Sequence, residues 1–97
     1  MSQLYLHRYQ YRVGSKTEFD KAWAVAIEAV TKTGNFGNVK DGVRQVSSYG
    51  TGWGGFCILE VTDPTALARY QQFCMVNYAH LVDITFEPIY DLATVAT

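Results

Sequence analysis

The stretch Gly52-Trp53-Gly54-Gly55-Phe56-Cys57-Ile58-Leu59-Glu60-Val61-Thr62-Asp63-Pro64-Thr65-Ala66-Leu67 joins an apolar strand directly to the start of a helix. Asp63 can accept hydrogen bonds from the free backbone N–H groups of a first helical turn. Pro64 suits the first helical position, because the N–H that it lacks would be unpaired there anyway. The stretch therefore predicts a strand over residues 53–61, followed by a helix from Asp63-Pro64 to about Asn77.

The residues before this unit predict a strand and a second helix. Residues 4–11 place tyrosines and a histidine on one face and Leu, Arg and Gln on the other, which is the period of a strand. Ser15 and Glu18 form a capping box that opens a helix with apolar residues at helical spacing. The helix is expected to end near Lys32, with Gly34 just past its C-terminus.

The remaining segments complete the predicted order of elements. Residues 43–49 predict a strand that forms a hairpin with 53–61 through a tight turn at 50–52. Residues 81–89 predict a fourth strand, and 91–97 form a tail of weak pattern. Residues 34–42, rich in Gly and Asn, predict a loop that is either a plain connector or a mobile lid.

The order β-α-β-β-α-β predicts an α+β, ferredoxin-like fold over residues 1–97 as one domain, with both helices on one face of a four-stranded antiparallel sheet. The chain of 97 residues is 48% hydrophobic and 14% aromatic. Large apolar side chains remain on whichever sheet face the helices leave open. Two such faces packed together would bury them. The sequence therefore predicts a homodimer that forms an eight-stranded dimeric α/β barrel.

Charge and patterning exclude several classes of partner. The net charge is −1, and the eight Lys and Arg residues are scattered, so no nucleic-acid partner is expected. The N-terminus lacks a long apolar segment, and no apolar run is long enough to span a bilayer. No membrane association is expected, and a cytoplasmic location is predicted. Cys57 and Cys74 are expected to be small buried apolar residues and not a disulfide or metal pair.

Several runs resemble an uncharacterised domain-of-unknown-function family in the dimeric α/β-barrel superfamily. The residues that carry the resemblance are 9–11 followed by Gly14, 54–56, 63–67 and 81–89. The resemblance implies the fold and the dimer. The superfamily includes cofactor-independent monooxygenases, lactone isomerases, dehydratases and haem enzymes, as well as stress-induced proteins. The family's Gly-Arg-aromatic-His stretch is replaced here by Ser47-Ser48-Tyr49-Gly50, so no catalytic residue is carried over.

His7 is the candidate catalytic residue, because an imidazole in an aromatic strand face can move protons near neutral pH. If that face lines the barrel, Tyr9 would orient a phenolic or carbonyl substrate. If it packs under the helices, His7 is a hydrogen-bonded core histidine. In that case Arg8 enters the barrel, where its guanidinium could bind an anion, unless it is solvated or pairs across the dimer. Neighbouring residues of a strand point to opposite sides. The face of residues 4–11 that meets the helices therefore decides whether His7 or Arg8 points into the barrel.

Other candidates lie near the hairpin and the last strand. Tyr49 and Trp53 flank the turn and are candidate ligand-binding residues, either as an aromatic wall or as dimer contacts. Gly54-Gly55 either permits the close approach of a ligand or another backbone or marks a β-bulge, and the bulge is the prediction. His80 could pair with Asp83, although capping of the second helix is the expectation for a histidine at this place.

No metal, nucleotide-loop or triad-hydrolase spacing occurs in the chain, so no metal and no cofactor is predicted. Two hypotheses of function remain open. The first is a small-molecule binding or structural domain whose interior is filled by its own aromatic side chains. The second is a cofactor-independent monooxygenase, isomerase or cyclase that acts on a small aromatic or carbonyl compound, with His7 moving a proton. The sequence does not decide whether the protein is an enzyme.

Overall fold

A computed structural model, which describes residues 2–95, confirms the predicted order of strands and helices. The elements are β1 (Gln3–Tyr11), α1 (Lys16–Thr33), β2 (Val43–Thr51), β3 (Gly54–Val61), α2 (Pro64–Asn77), β4 (Val82–Ile89) and α3 (Leu92–Val95). Within the predicted tail, 92–95 form the short helix α3, and residues 96–97 lie outside the described part. No helix in that part combines the length and the hydrophobicity needed to cross a membrane.

The four strands form one antiparallel sheet in the order β2-β3-β1-β4, which confirms the ferredoxin-like α+β fold. The edge strand β2 carries a register shift between Gln45 and Ser47, so Val46 is an extra residue there. The other edge strand, β4, contains Pro88. Proline has no N–H to donate and is tolerated in a sheet mainly at an edge.

The predicted bulge at Gly54-Gly55 is wrong, because both glycines pair in regular register with β1 and β2. They permit close approach instead. A Cβ at Gly54 would lie 2.0 Å from the Tyr9 carbonyl oxygen, and one at Gly55 would lie 2.4 Å from the Tyr9 hydroxyl. The hairpin turn also lies slightly later than predicted, because β2 continues to Thr51.

Both helices begin at the predicted caps. Ser15 and Glu18 form the reciprocal capping box, and α1 ends at Thr33. Gly34 caps its C-terminus with a φ of 84°, the left-handed conformation that glycine adopts easily. Asp63 accepts a hydrogen bond from the Thr65 N–H at the start of α2. These local signals set the positions of both helices along the chain.

The loop 34–42 is tied to the fold by a buried side chain. Asn35 is 1% exposed, and its amide nitrogen donates to the carbonyl oxygens of Val39 (2.6 Å) and Val43 (3.2 Å). Its Oδ1 accepts from the Val39 N–H at 3.1 Å. Gly37 packs directly on the Tyr70 ring, where a Cβ would lie 2.1 Å from Cδ2. The loop is therefore a packed connector in this structure.

Gly37→Ala is expected to lower the free energy of unfolding by about 2 kcal/mol, because Tyr70 is fully buried and cannot move away from a new methyl group. Gly50→Ala is the matched control, since a Cβ there meets nothing within 4 Å. Its stability is expected to change by no more than about 0.5 kcal/mol. Urea unfolding of both variants measures the difference. Equal stability of the two would contradict the packing of this loop on Tyr70.

The helices cover one face of the sheet and leave the other open. Paired positions place the partly exposed apolar side chains of Leu4, Leu6, Phe56, Ile58 and Ile89 on the open face. We call this set, with the charged side chains between them, the open face. The buried core lies on the other side, where β3 meets α2.

Candidate functional site

The two candidate residues of β1, His7 and Arg8, lie on opposite faces of the sheet. His7 is 2% exposed and lies under the helices, while Arg8 is exposed on the open face. The structure therefore favours the alternative in which His7 is a hydrogen-bonded core histidine and Arg8 points toward the proposed barrel interior. The two side chains cannot serve one common site within a single chain.

A cavity of about 60 Å³ lies between α1 and the sheet, beneath the loop that follows α1. Its lining residues are His7, Tyr9, Tyr11, Phe19, Ala22, Trp23, Ala26, Phe36, Tyr78, Leu81, Val82 and Ile84. None of these carries a formal charge at neutral pH, and almost all of the exposed wall is hydrocarbon or aromatic ring. The cavity is thus an apolar hollow with a few polar groups at its margin.

His7 is the polar group held most firmly in this wall. Its Nδ1 lies 2.8 Å from the Tyr70 hydroxyl, and its ring stacks on Phe86 with the centroids 4.7 Å apart. Burial away from water lowers the pKa of His7 from 6.5 to about 4, so the ring is neutral at pH 7. A neutral imidazole has one donor and one acceptor nitrogen. His7 lines the cavity, and among the described residues its Nε2 has no hydrogen-bond partner.

The tyrosines of the site are neutral as well. Burial raises the pKa of Tyr9 to about 12, and Tyr70, also desolvated, has a pKa raised well above its usual value. The Tyr78 hydroxyl donates to the Phe36 carbonyl oxygen at 2.7 Å, which fixes Phe36 over the cavity. The site can therefore offer hydrogen bonds and aromatic contact but no charge.

The other predicted ligand-binding residues lie away from this cavity. Tyr49 packs on Phe56 at the open face, with ring centroids 5.1 Å apart. Trp53 sits in the hairpin turn and is 76% exposed. The structure thus brings His7 and Tyr9 together but not Arg8, Tyr49 or Trp53. A role for these three in ligand binding stays a prediction.

The aromatic wall of the cavity consists of residues that the sequence reasoning did not select. Trp23 and Phe36 meet edge to face, with ring centroids 6.4 Å apart. Trp23 is one of the apolar residues at helical spacing in α1, and Phe36 lies in a loop without periodicity. A usable signal was present in α1, because Ala22 and Ala26 are small residues beside two large rings. Small side chains at such positions leave space under a helix.

Within the described residues, the two cysteines form no disulfide and Asp83 on β4 forms no acid–base pair with His80. Cys57 and Cys74 are both free and buried, as predicted, and burial raises the pKa of Cys74 to about 12. Asp83 pairs with Arg12, with Nε and Oδ1 3.4 Å apart, and not with His80. No group of three or more His, Cys, Asp or Glu side chains within residues 2–95 is placed to hold a metal ion.

Comparison with known proteins supports the fold. No protein-family model matches the chain, and no curated protein matches it. The chain is similar to the crystal structure of an ethyl tert-butyl ether D (EthD) family protein from Bacillus halodurans, with a TM-score of 0.52 and 11% sequence identity. The match covers 91% of this chain and 99% of that one. Membership of the domain-of-unknown-function family stays a prediction, and the likeness establishes that this chain has an α+β fold of the same kind.

Proposed function

We propose that the protein binds a small, uncharged and largely apolar organic molecule in the cavity between α1 and the sheet. The observation that carries the proposal is the buried His7 ring, which lines an otherwise apolar cavity while its Nδ1 is held by Tyr70. A hydroxyl or carbonyl group of the ligand is the hydrogen-bond partner that His7 Nε2 otherwise lacks. The absence of charge in the lining favours a neutral ligand, because a buried unpaired ion is costly.

The size of the cavity limits the ligand. Pockets for drug-sized molecules have volumes of roughly 300–1,000 Å³, whereas a buried water needs only about 10–15 Å³. At about 60 Å³ the cavity holds a molecule of a few atoms, or a single ring if a wall moves. Trp23 is the wall that can move, because its side chain is 39% exposed although it lines the cavity. The ligand enters past this side chain.

Binding is better supported than the alternative of cofactor-independent catalysis. A general base works best when its pKa lies near the operating pH. The pKa of His7 is about 4, because its ring is desolvated and no carboxylate contacts it. His7 therefore serves as a fixed hydrogen-bonding group and is a weak proton acceptor at neutral pH.

Phenol and toluene form a matched pair of probes for this site, since toluene has a methyl group of similar size where phenol has its hydroxyl. Trp53→Phe leaves Trp23 as the single tryptophan, so a change in its fluorescence reports binding in the cavity. In this background, phenol binding is expected to depend on His7. The double substitution His7→Phe with Tyr70→Phe removes both hydrogen-bond partners together, which limits the stability cost. It should lower the ratio of phenol to toluene affinity about tenfold.

Tyr49→Phe is the control for this experiment, because it removes a tyrosine hydroxyl on the opposite face of the sheet. The affinity ratio should stay unchanged in this variant. An unchanged ratio in the His7 and Tyr70 double variant would contradict the proposal, as would the failure of either probe to perturb Trp23.

We also propose that the protein is a homodimer that packs its open face against a second copy. The apolar side chains of this face are partly exposed in a single chain, and a two-fold symmetric contact would bury both sets at once. Arg8 and Glu87 lie on the same face, and neither forms an ion pair within the described residues. Their opposite charges make the face complementary to itself in a dimer.

A further inference from the structure

A second concave surface lies on the outer side of α2, separate from the cavity. This groove has a volume of about 600 Å³ and runs between α2 and residues 37–41. The side chains on its helical wall are Arg69, Gln72, Phe73, Val76 and Asn77. Their spacing of i, i+3, i+4, i+7 and i+8 places them on one face of α2. The groove thus follows the helix for about two turns.

The opposite wall of the groove is held in place by the core. Gly42 packs against Ala66, where a Cβ would lie 2.6 Å from the alanine Cβ, and Gly37 packs on Tyr70 one turn later. The loop therefore runs antiparallel to α2. Lys40, which lies between these two glycines, is on the part of the loop that faces residues 66–70, and it lines the groove together with Arg69. The Asn35 hydrogen bonds hold the base of this wall, so its shape exists without a ligand.

Charge is distributed unevenly along the groove. Lys40 and Arg69 lie at one end, and neither forms an ion pair within residues 2–95. Asp41 lies at the same end, also outside any ion pair of the described residues, so this end has a net charge of +1. Toward the other end are Phe73 and Val76, and Val76 is 71% exposed. The groove therefore has a cationic end and an apolar end.

We propose that this groove binds a medium-chain monocarboxylate. The carboxylate lies between Arg69 and Lys40, since a guanidinium matches the geometry of a carboxylate. The hydrocarbon chain lies along Phe73 and Val76. The seven helical steps from Arg69 to Val76 span about 10 Å at a rise of 1.5 Å per residue, which is the reach of an extended chain of about eight carbons.

Octanoate and octan-1-ol test the proposal, because they share a chain of similar length and differ in charge. Titration of the isotope-labelled protein, followed by amide chemical shifts, should show octanoate shifts confined to residues 37–41 and 69–77. Arg69→Gln and Lys40→Gln should each weaken octanoate binding about fivefold. Lys21→Gln removes a cation from α1, outside the groove lining, and is the matched control that leaves the affinity unchanged.

Three outcomes would overturn this assignment. Equal affinity for octan-1-ol would show that the cations do not recognise the ligand. Octanoate shifts at His7 and Trp23 would place the ligand in the cavity under α1. Self-association of the free protein that Arg69→Gln abolishes would show that a second copy occupies the groove. The His7 and Tyr70 double variant should bind octanoate normally, so failure at the cavity and failure at the groove are distinguishable.

Discussion

Acidification from about pH 7 to about pH 4 is expected to remove roughly 3 kcal/mol from the free energy of unfolding through His7 alone. The pKa of His7 falls from 6.5 in the unfolded chain to about 4 in the fold. Above pH 6.5 the ring is neutral in both states and contributes no difference. Below it, the unfolded chain binds a proton that the folded chain cannot accept, so stability falls until the pH reaches about 4. Urea unfolding at a series of pH values measures the slope.

The contribution of His7 is isolated by comparison with variants. His7→Phe combined with Tyr70→Phe removes the buried imidazole and should flatten the pH dependence by this amount. His80→Gln removes the exposed imidazole and should keep the His7 contribution. The rings that contact His7 belong to Tyr9, Tyr70 and Phe86, none of which titrates between pH 4 and 7. If the double variant keeps the wild-type slope, His7 is not desolvated in the fold.

Ile58→Asp is expected to convert the proposed dimer into a folded monomer, with dimer affinity reduced at least hundredfold. Ile58 lies on the central strand β3, opposite Leu6, at the middle of the open face. A second copy would bury the new carboxylate without a partner, which costs several kcal/mol. The same side chain points away from the helices, so the monomer core is unaffected. Analytical ultracentrifugation measures association, and circular dichroism checks the fold.

Ile27→Asp provides a matched control, because it makes the same chemical change on the outer surface of α1. Ile27 is 62% exposed and lies on the helix side of the sheet. This variant should remain as associated as the wild type. A monomeric wild type, or dissociation caused by Ile27→Asp, would contradict association through the open face.

Local chemistry made much of the fold predictable. The capping box of Ser15 and Glu18 and the Asp63-Pro64 helix start depend on residues within a few positions of each other, so they could be located from the sequence. The order of elements followed from these signals and from alternating strands. The bulge was misplaced because a glycine in a strand can mark either a bulge or a close approach. At Gly54 the deciding contact comes from Tyr9, 45 positions earlier.

The candidate site depended on contacts between distant residues. Both faces of β1 contain large side chains, so a period of two could not show which face meets the helices. The hydrogen bond between His7 and Tyr70, which are 63 positions apart, forms only because the His7 face meets the helices. The cavity itself depends on the distance between α1 and the sheet, which no local pattern encodes. Phe36 and Trp23 meet there only in the folded chain.

Val46 on the edge strand β2 and Pro88 on the edge strand β4 restrict how copies of this chain can associate. An unprotected edge strand offers a row of free backbone groups to which another strand can add, and this is a route to fibrils. The extra residue Val46 disrupts that row on β2, and Pro88 interrupts the row of donors on β4. Lateral growth of the sheet is therefore disfavoured at both margins. In the proposed dimer, contact between copies is directed to the open face, where two-fold assembly closes at two chains.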